Sequence, residues 1–421
     1  IGISGDGSLV AYATSSEIKV YDGDGNLLWS RSYSNMNFKA VAVSRDGDAV
    51  VAVASTIDGE YYIMYWDNIA LLSGNPEPKW QTQVVGSVMR GEYGDWIAIS
   101  SDGNYVIVVS VQSSVVHVNF WKNAHSLSGY VSSPDVDHTF NLGTFSNLLK
   151  VYTDISSDGS VVAYGVSYDS EVGDRLYVEV VRNADSGFSD FFTISGGTDF
   201  FSGLTLSDDG RYLTYANGSK VYFYDVETGG FKWSSADLPY PLGGGRIAAI
   251  DMSSDGEVIV AAVNIMFFSL AQVAIFNDAT AKSGTNVAPN AYSNPAEVLG
   301  IDADYWDVSV DSTGRIAVVG TGNAVIAMNT ATGDVMWFNT SAHPVSHTVK
   351  VSHDGAYAVT GGYVLDSVYY FSTGIASSAP QQPAQVVGGE IEVPQSPAHA
   401  VWAYLVAVTA AVAVVIALRK E

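Results

Sequence analysis

Apolar residues through the first 373 positions recur in short runs with a period of two, broken by Gly, Asp, Asn and Ser. That alternation predicts half-buried strands rather than helices. One punctuation dominates. A Ser-x-Asp-Gly turn or a near copy stands at 4–7, 44–47, 100–103, 156–159, 207–210, 253–256, 311–314 and 352–355. Asp-Gly between two apolar runs predicts a hairpin, because Gly accepts the positive φ that the turn requires. A short alternating run precedes each turn, such as Leu204-Thr205-Leu206, and a fuller apolar run follows it. A third run ends on Asp or Asn, at Asp22, Asp67, Asp225, Asn277 and Asn329, and a fourth carries Trp29, Trp80, Trp233 or Trp337.

Four strands at a spacing of roughly 50 residues are the pattern of a propeller blade. A lone blade cannot bury both faces, so the ring has to close. The expectation is an all-β, eight-bladed β-propeller over residues 1–373, with seven blades as the fallback count. The last repeat shows three strands; its fourth is either supplied by 384–393 or missing. Three repeats carry longer links between their third and fourth strands, at 66–80, 121–134 and 276–289. These are expected to project as loops from one face.

The tail has a different pattern. Ala400 to Leu418 contains no charged residue, and at ~1.5 Å rise per residue it spans about 28 Å, close to a bilayer core. Trp402 and Tyr404 stand at its first turn, Arg419 and Lys420 follow it, and Glu390 and Glu392 precede it. The expectation is a single transmembrane helix within 399–421, its C-terminus cytoplasmic and the propeller extracellular. Residues 374–398, with Pro380, Pro383, Pro394 and Pro397, read as a stalk. Asn217 and Asn339 begin sequons, making them glycosylation candidates on an extracellular domain.

Composition sharpens this. The net charge is -25, from 44 acidic against 19 basic residues, which argues against a nucleic-acid partner. The chain has no Cys, which excludes thiol chemistry and Cys-based metal sites. Charged residues are only 15%, and Tyr is abundant. Low charge with much Tyr and Ser has the look of an archaeal surface protein.

Residues 327–337, Ala-Met-Asn-Thr-Ala-Thr-Gly-Asp-Val-Met-Trp, resemble the repeat of quinoprotein (PQQ-type) alcohol dehydrogenases and their non-enzymatic propeller relatives, with Asn329 in an Asp place. Residues 224–233 match nearly as well, and the first repeat keeps Asp22, Gly25 and Trp29. The Ser-x-Asp-Gly turns resemble WD-repeat propellers equally. The resemblance implies that Trp29, Trp80, Trp233 and Trp337 dock neighbouring blades. It also implies what an enzyme of the family would carry: an adjacent Cys pair, a calcium held by carboxylate and amide, and an Asp base. No Cys is present and no segment matches the cofactor-binding stretches, so the non-enzymatic branch, without cofactor, is the expectation.

Function on a propeller usually lies where fourth strands re-enter the axis as first strands. Those connections hold Arg90, Glu92, Tyr93, Asp95, Arg246, Asp302, Asp304, Tyr305 and Trp306, carboxylates beside aromatics that suit a sugar or a cation. His343, His347 and His353 lie close in sequence, but their spacing across a loop and a strand does not enforce convergence, so no metal is expected. The expected function is a membrane-anchored, non-catalytic surface scaffold or recognition module. Its partners would be the membrane and other surface proteins or glycans, with a homo-oligomer open. The alternatives are a structural subunit of a larger cell-surface assembly and a quinoprotein-like enzyme.

Overall fold

The computed structural model describes residues 1–85, 96–170, 173–197, 200–240, 243–265, 270–295, 299, 305–340, 346–362 and 367–375. Eight antiparallel sheets succeed one another along the chain from Gly2 to Ser372. Each is a blade whose first strand faces the axis. Blade 5 is typical, with strands Phe201–Leu206, Tyr212–Asn217, Lys220–Asp225 and Gly230–Ser235 paired in chain order. Seven blades have four such strands. Among the described residues blade 8 has three, Ser346–Val351, Tyr357–Gly362 and Ser367–Ser372. The fallback of seven blades is therefore set aside: every one of the eight turns seeds its own sheet.

The turn chemistry explains the motif. In blade 5 the buried Ser207 hydroxyl donates to Asp209 and accepts the Tyr212 N–H, while Asp209 also accepts the Arg211 N–H. Six further turns repeat the Ser–Asp bond, at Ser4, Ser44, Ser100, Ser156, Ser253 and Ser352. Blade 7 places Asp311 where the others have Ser; it accepts the Ile316 N–H at 2.8 Å and a bond from Thr313. The Gly that ends each motif has φ between +68° and +76° in all eight turns, a conformation an L side chain rarely adopts.

The residue in the second place of the motif does something the pattern does not reveal. Its backbone bonds to the next blade. Gly5 N–H donates to Arg45 O, Ser101 to Ser157, Ser157 to Asp208, Asp208 to Ser254, Ser254 to Ser312 and Ser312 to His353. Asp46 N–H to Ser101 O and Asp354 N–H to Gly5 O complete the circle. These bonds join blade 8 to blade 1 directly, and Tyr370 adds a hydroxyl bond to Gly7 O at 2.9 Å. Val10 and Tyr12 pack there against Tyr357, Val359 and Tyr370.

Farther out, aromatic pairs seal the blades. Trp29 meets Trp66 of the next blade at 5.5 Å between ring centroids, Trp80 meets Trp121 at 5.9 Å, Trp233 meets Phe276 at 5.2 Å and Trp337 meets Phe371 at 5.4 Å. All four fourth-strand Trp residues are buried. Three indole N–H groups also donate across the blade boundary: Trp80 to Ala124 O, Trp233 to Ala279 O and Trp337 to Thr373 O.

The three long links correct the expectation of projecting loops. Each opens on a left-handed residue, Asn68, Asn123 or Asp278, and makes one 3-10 turn. Each then lies flat along the outer edge of the preceding blade. Gly74 bridges Trp29, Gly129 pairs with Trp80 and Gly284 pairs with Trp233, all parallel. The links are straps, because an outer strand has N–H and C=O groups that need partners. Residues 376–421 lie outside the described residues, and with them the stalk beyond its first two residues, the 384–393 strand and the expected membrane helix. No helix among the described residues is long and apolar enough to cross a membrane.

Candidate binding site in the axial channel

The inner strands enclose a channel of about 820 Å³. Its wall carries four of the chain's 19 basic residues, Lys39, Lys150, Arg246 and Lys350. Among the described residues it also carries three carboxylates, Asp154, Asp251 and Asp307, each tied to backbone. Asp154 accepts the N–H of Ile155 and, from blade 5, the Leu206 N–H and the Thr205 hydroxyl. Asp251 accepts Met252 N–H and, from blade 7, Val310 N–H. Asp307 accepts Val308 N–H and, from blade 8, Val349 N–H. One carboxylate oxygen thus serves its own strand and the other stitches the next inner strand. These acids hold the ring's inner seam.

Burial pushes the Asp154 carboxyl up to about 6, against the pull of its hydrogen bonds from Leu206, Ile155 and Thr205. The group touches the channel but lies deep within the ring, so its charged form is poorly hydrated.

Two of the basic residues meet at Phe200. Arg246 lies 4.2 Å from that ring's centroid by its guanidinium carbon, and the Lys150 ammonium lies 4.7 Å from it. Such cation–ring contacts draw on the negative face of the aromatic quadrupole. Burial first, and the neighbouring Arg246 charge second, lower the Lys150 ammonium to about 8. Ser202 lines the same wall; its buried hydroxyl finds no hydrogen-bond partner among the described residues. Asn264 exchanges two bonds with the Tyr305 backbone, each 2.9 Å, and fixes where the blade 7 inner strand begins.

At the turn end of the ring, side chains reach across the axis. Arg45 of blade 2 pairs with Asp208 of blade 5, and His353 of blade 8 lies 3.1 Å from the same carboxylate and 3.2 Å from Ser254. Burial pushes the Asp208 carboxyl up, but the bonds from His353, Arg45 and Ser254 outweigh it and hold it well below the usual range. Arg45, Asp208, Ser254 and His353 all hold the second place of the turn motif, which is why residues 163 and 145 positions apart meet.

Of the residues singled out in sequence, Arg246 and Tyr305 line the channel, Tyr305 fully buried. Arg90, Glu92, Tyr93, Asp95, Asp302, Asp304 and the Trp306 side chain lie outside the described residues. So do His343 and the His347 side chain, while His353 pairs with Asp208 rather than with another His. Among the described residues no group of three His, Cys, Asp or Glu could hold a metal ion. Asn339 is buried, and Asn217 is half-buried with its amide donating to Gly197 O. Sequence reasoning missed Lys39, Lys150, Lys350, Asp154, Asp251 and Asp307. The available signal was their place on the run that precedes each Ser-x-Asp-Gly turn.

Residues 281–378 match the family model described as PQQ_2, outer membrane protein assembly factor BamB. The matched stretch includes residues 327–337, which carry the resemblance to the PQQ-type repeat. The chain is an eight-bladed β-propeller, and part of it is similar to that repeat family. A search of curated proteins gives no match. Solved structures align over most of this chain. The Dos1 propeller aligns with TM-score 0.54 and 10% identity, over 85% of this chain and 88% of that one. A eukaryotic initiation factor aligns with TM-score 0.50 and 15% identity, over 88% of this chain and 84% of that one. The Cps50 (Swd1) β-propeller domain of Myceliophteria thermophila aligns with TM-score 0.49 and 10% identity, over 80% of this chain and 96% of that one. At these identities the likeness is one of fold.

Proposed function

We propose that this propeller is an extracellular recognition or scaffolding module, without catalysis, held to a membrane by residues 399–421. The observation that carries the recognition reading is the axial channel. Its three described carboxylates are committed to backbone N–H groups of neighbouring blades, a structural task, while two of its basic side chains, Lys150 and Arg246, meet at Phe200. A wall with fixed acids and clustered cations suits holding a ligand better than moving its protons. The anchoring reading is supported by the charge-free stretch from Ala400 to Leu418 with its basic end. The matched family model, described as an outer membrane protein assembly factor, fits a propeller that works beside a membrane by binding other molecules.

Fractionation of cells making the full chain tests the anchor. The full chain should stay with membranes after alkaline carbonate extraction, and a chain ending at residue 398 should leave them. Release of the full chain by carbonate, or retention of the truncated one, would overturn the anchoring.

A further inference from the structure

We propose that the axial channel is the seat of an oxyanion-bearing ligand, a carboxylate or a phosphate, held by Lys150 and Arg246 beside Phe200. This deepens the recognition reading by naming the class of ligand, and it rests on that reading but not on the membrane anchor.

The first observation is a contrast of charge. The chain as a whole carries -25, with more than two acids for each base. The channel reverses this, with four basic side chains against three carboxylates among its described lining residues. Each of those carboxylates already accepts hydrogen bonds with both oxygens. In a strongly acidic protein this is where an anion meets a favourable potential, focused by a low-dielectric wall.

The second observation is the arrangement of the cations. Lys150 stands on the inner strand of blade 4, Phe200 on the entry to blade 5 and Arg246 at the start of the inner strand of blade 6. Three consecutive blades thus deliver an ammonium, a ring and a guanidinium to one spot, with both cations within 5 Å of the ring centroid. Like charges at one ring repel; burial first, and this repulsion from Arg246 second, lower the affinity of Lys150 for its proton. An oxyanion bound at this spot offsets that repulsion and receives charge-assisted bonds from both, the Arg fork matching the geometry of a carboxylate or phosphate.

The third observation is the rest of the wall. Ser202 presents a hydroxyl with no partner among the described residues, two positions beyond Phe200. Ile97, Leu204 and Ala249 supply apolar surface for the body of the ligand. A channel of about 820 Å³ falls in the size range of small-molecule sites.

The test is calorimetric titration of the full chain with two probes, inorganic phosphate and glucuronate, at low and at physiological salt. The expected result is saturable binding of at least one probe that weakens with salt. Lys150→Ala and Arg246→Ala should each weaken it by about tenfold or more, and Arg246→Lys should recover part of the loss. Lys282→Ala, just after the 3-10 turn of a strap at the ring's outer edge, should leave it unchanged. Thermal unfolding of each variant confirms the fold, and Lys150→Met offers a second variant that keeps the buried stem. Binding of glucuronate alone assigns a carboxylate ligand; binding of phosphate alone assigns a phosphate. No saturable binding of either probe, or binding indifferent to both Lys150 and Arg246, would overturn the proposal while leaving the fractionation result to judge the anchor separately.

Discussion

Replacing Trp233 by Ala tests whether aromatic sealing between blades holds the ring. Trp233 is fully buried, with Phe223 of its own blade at 5.5 Å and Phe276 of the next blade at 5.2 Å between centroids. Its indole donates to Ala279 O at 2.8 Å. A buried Trp removes ~150–250 Å² from water, worth roughly 4–6 kcal/mol at ~25 cal/mol per Å² before subtracting what Ala retains. Large-to-small aromatic truncations cost ~3–5 kcal/mol in measured series, and that is the expected loss here. Trp233→Phe keeps most of the apolar contact but leaves the Ala279 carbonyl without its donor, so about 1–2 kcal/mol is expected. In a double-mutant cycle, Trp233→Ala with Phe276→Ala should couple by roughly 0.5–1.5 kcal/mol. Urea unfolding followed by far-UV circular dichroism reads all of these without relying on the deleted fluorophore. A Trp233→Ala chain within about 1 kcal/mol of the parent would refute the reasoning, as would a Phe variant that costs as much as the Ala one.

Further outcomes follow from the turns and the inner seam. Gly159 has φ +73° and a Cβ there would meet Tyr105 at 2.3 Å, whereas Gly59 has φ +84° with open space. Gly59→Ala should therefore cost only the left-handed strain, ~1–2 kcal/mol, and Gly159→Ala clearly more; equal midpoints in urea would contradict this. The Asp154 carboxyl is raised to about 6, so its contribution favours the fold below its ordinary value near 4 and is lost as pH rises through 6. The parent should lose up to roughly 3 kcal/mol from this group between those limits, and Asp154→Asn should lack that slope in a series of unfolding curves. Asp208 is shifted the opposite way, so its contribution is present above the ordinary carboxyl range and lost as pH falls below it. Asp208→Asn should destabilise by ~1–2 kcal/mol at pH 7, given the partial exposure of the pair, and the gap to the parent should shrink towards pH 3.

Local chemistry made the repeat legible. Ser, Asp and Gly at fixed places in a turn have intrinsic preferences, and alternation of apolar residues needs nothing beyond its own strand to declare a buried face. Eight such turns therefore determined eight blades, and a fourth-strand Trp declared a packed outer strand before any neighbour was known. The expected membrane helix of the tail rests on length and lack of charge alone and lies outside the described residues. What could not be read were relations between blades. The straps look like loops because their partner, the outer edge carrying Trp29, Trp80 or Trp233, belongs to the previous repeat. The second motif residue looks arbitrary, running through Gly, Arg, Ser, Asp and His, because its backbone rather than its side chain makes the ring bond. Arg45, Asp208 and His353 become partners only when closure sets blades 2, 5 and 8 around one axis. Lys150, Phe200 and Arg246 sit on three different blades, each an ordinary inner-wall residue taken singly. Local turns and strands follow from short-range sterics and periodicity, which a sequence carries within a few residues. The channel and its charge depend on which distant residues share a face, and that is decided by closing the ring.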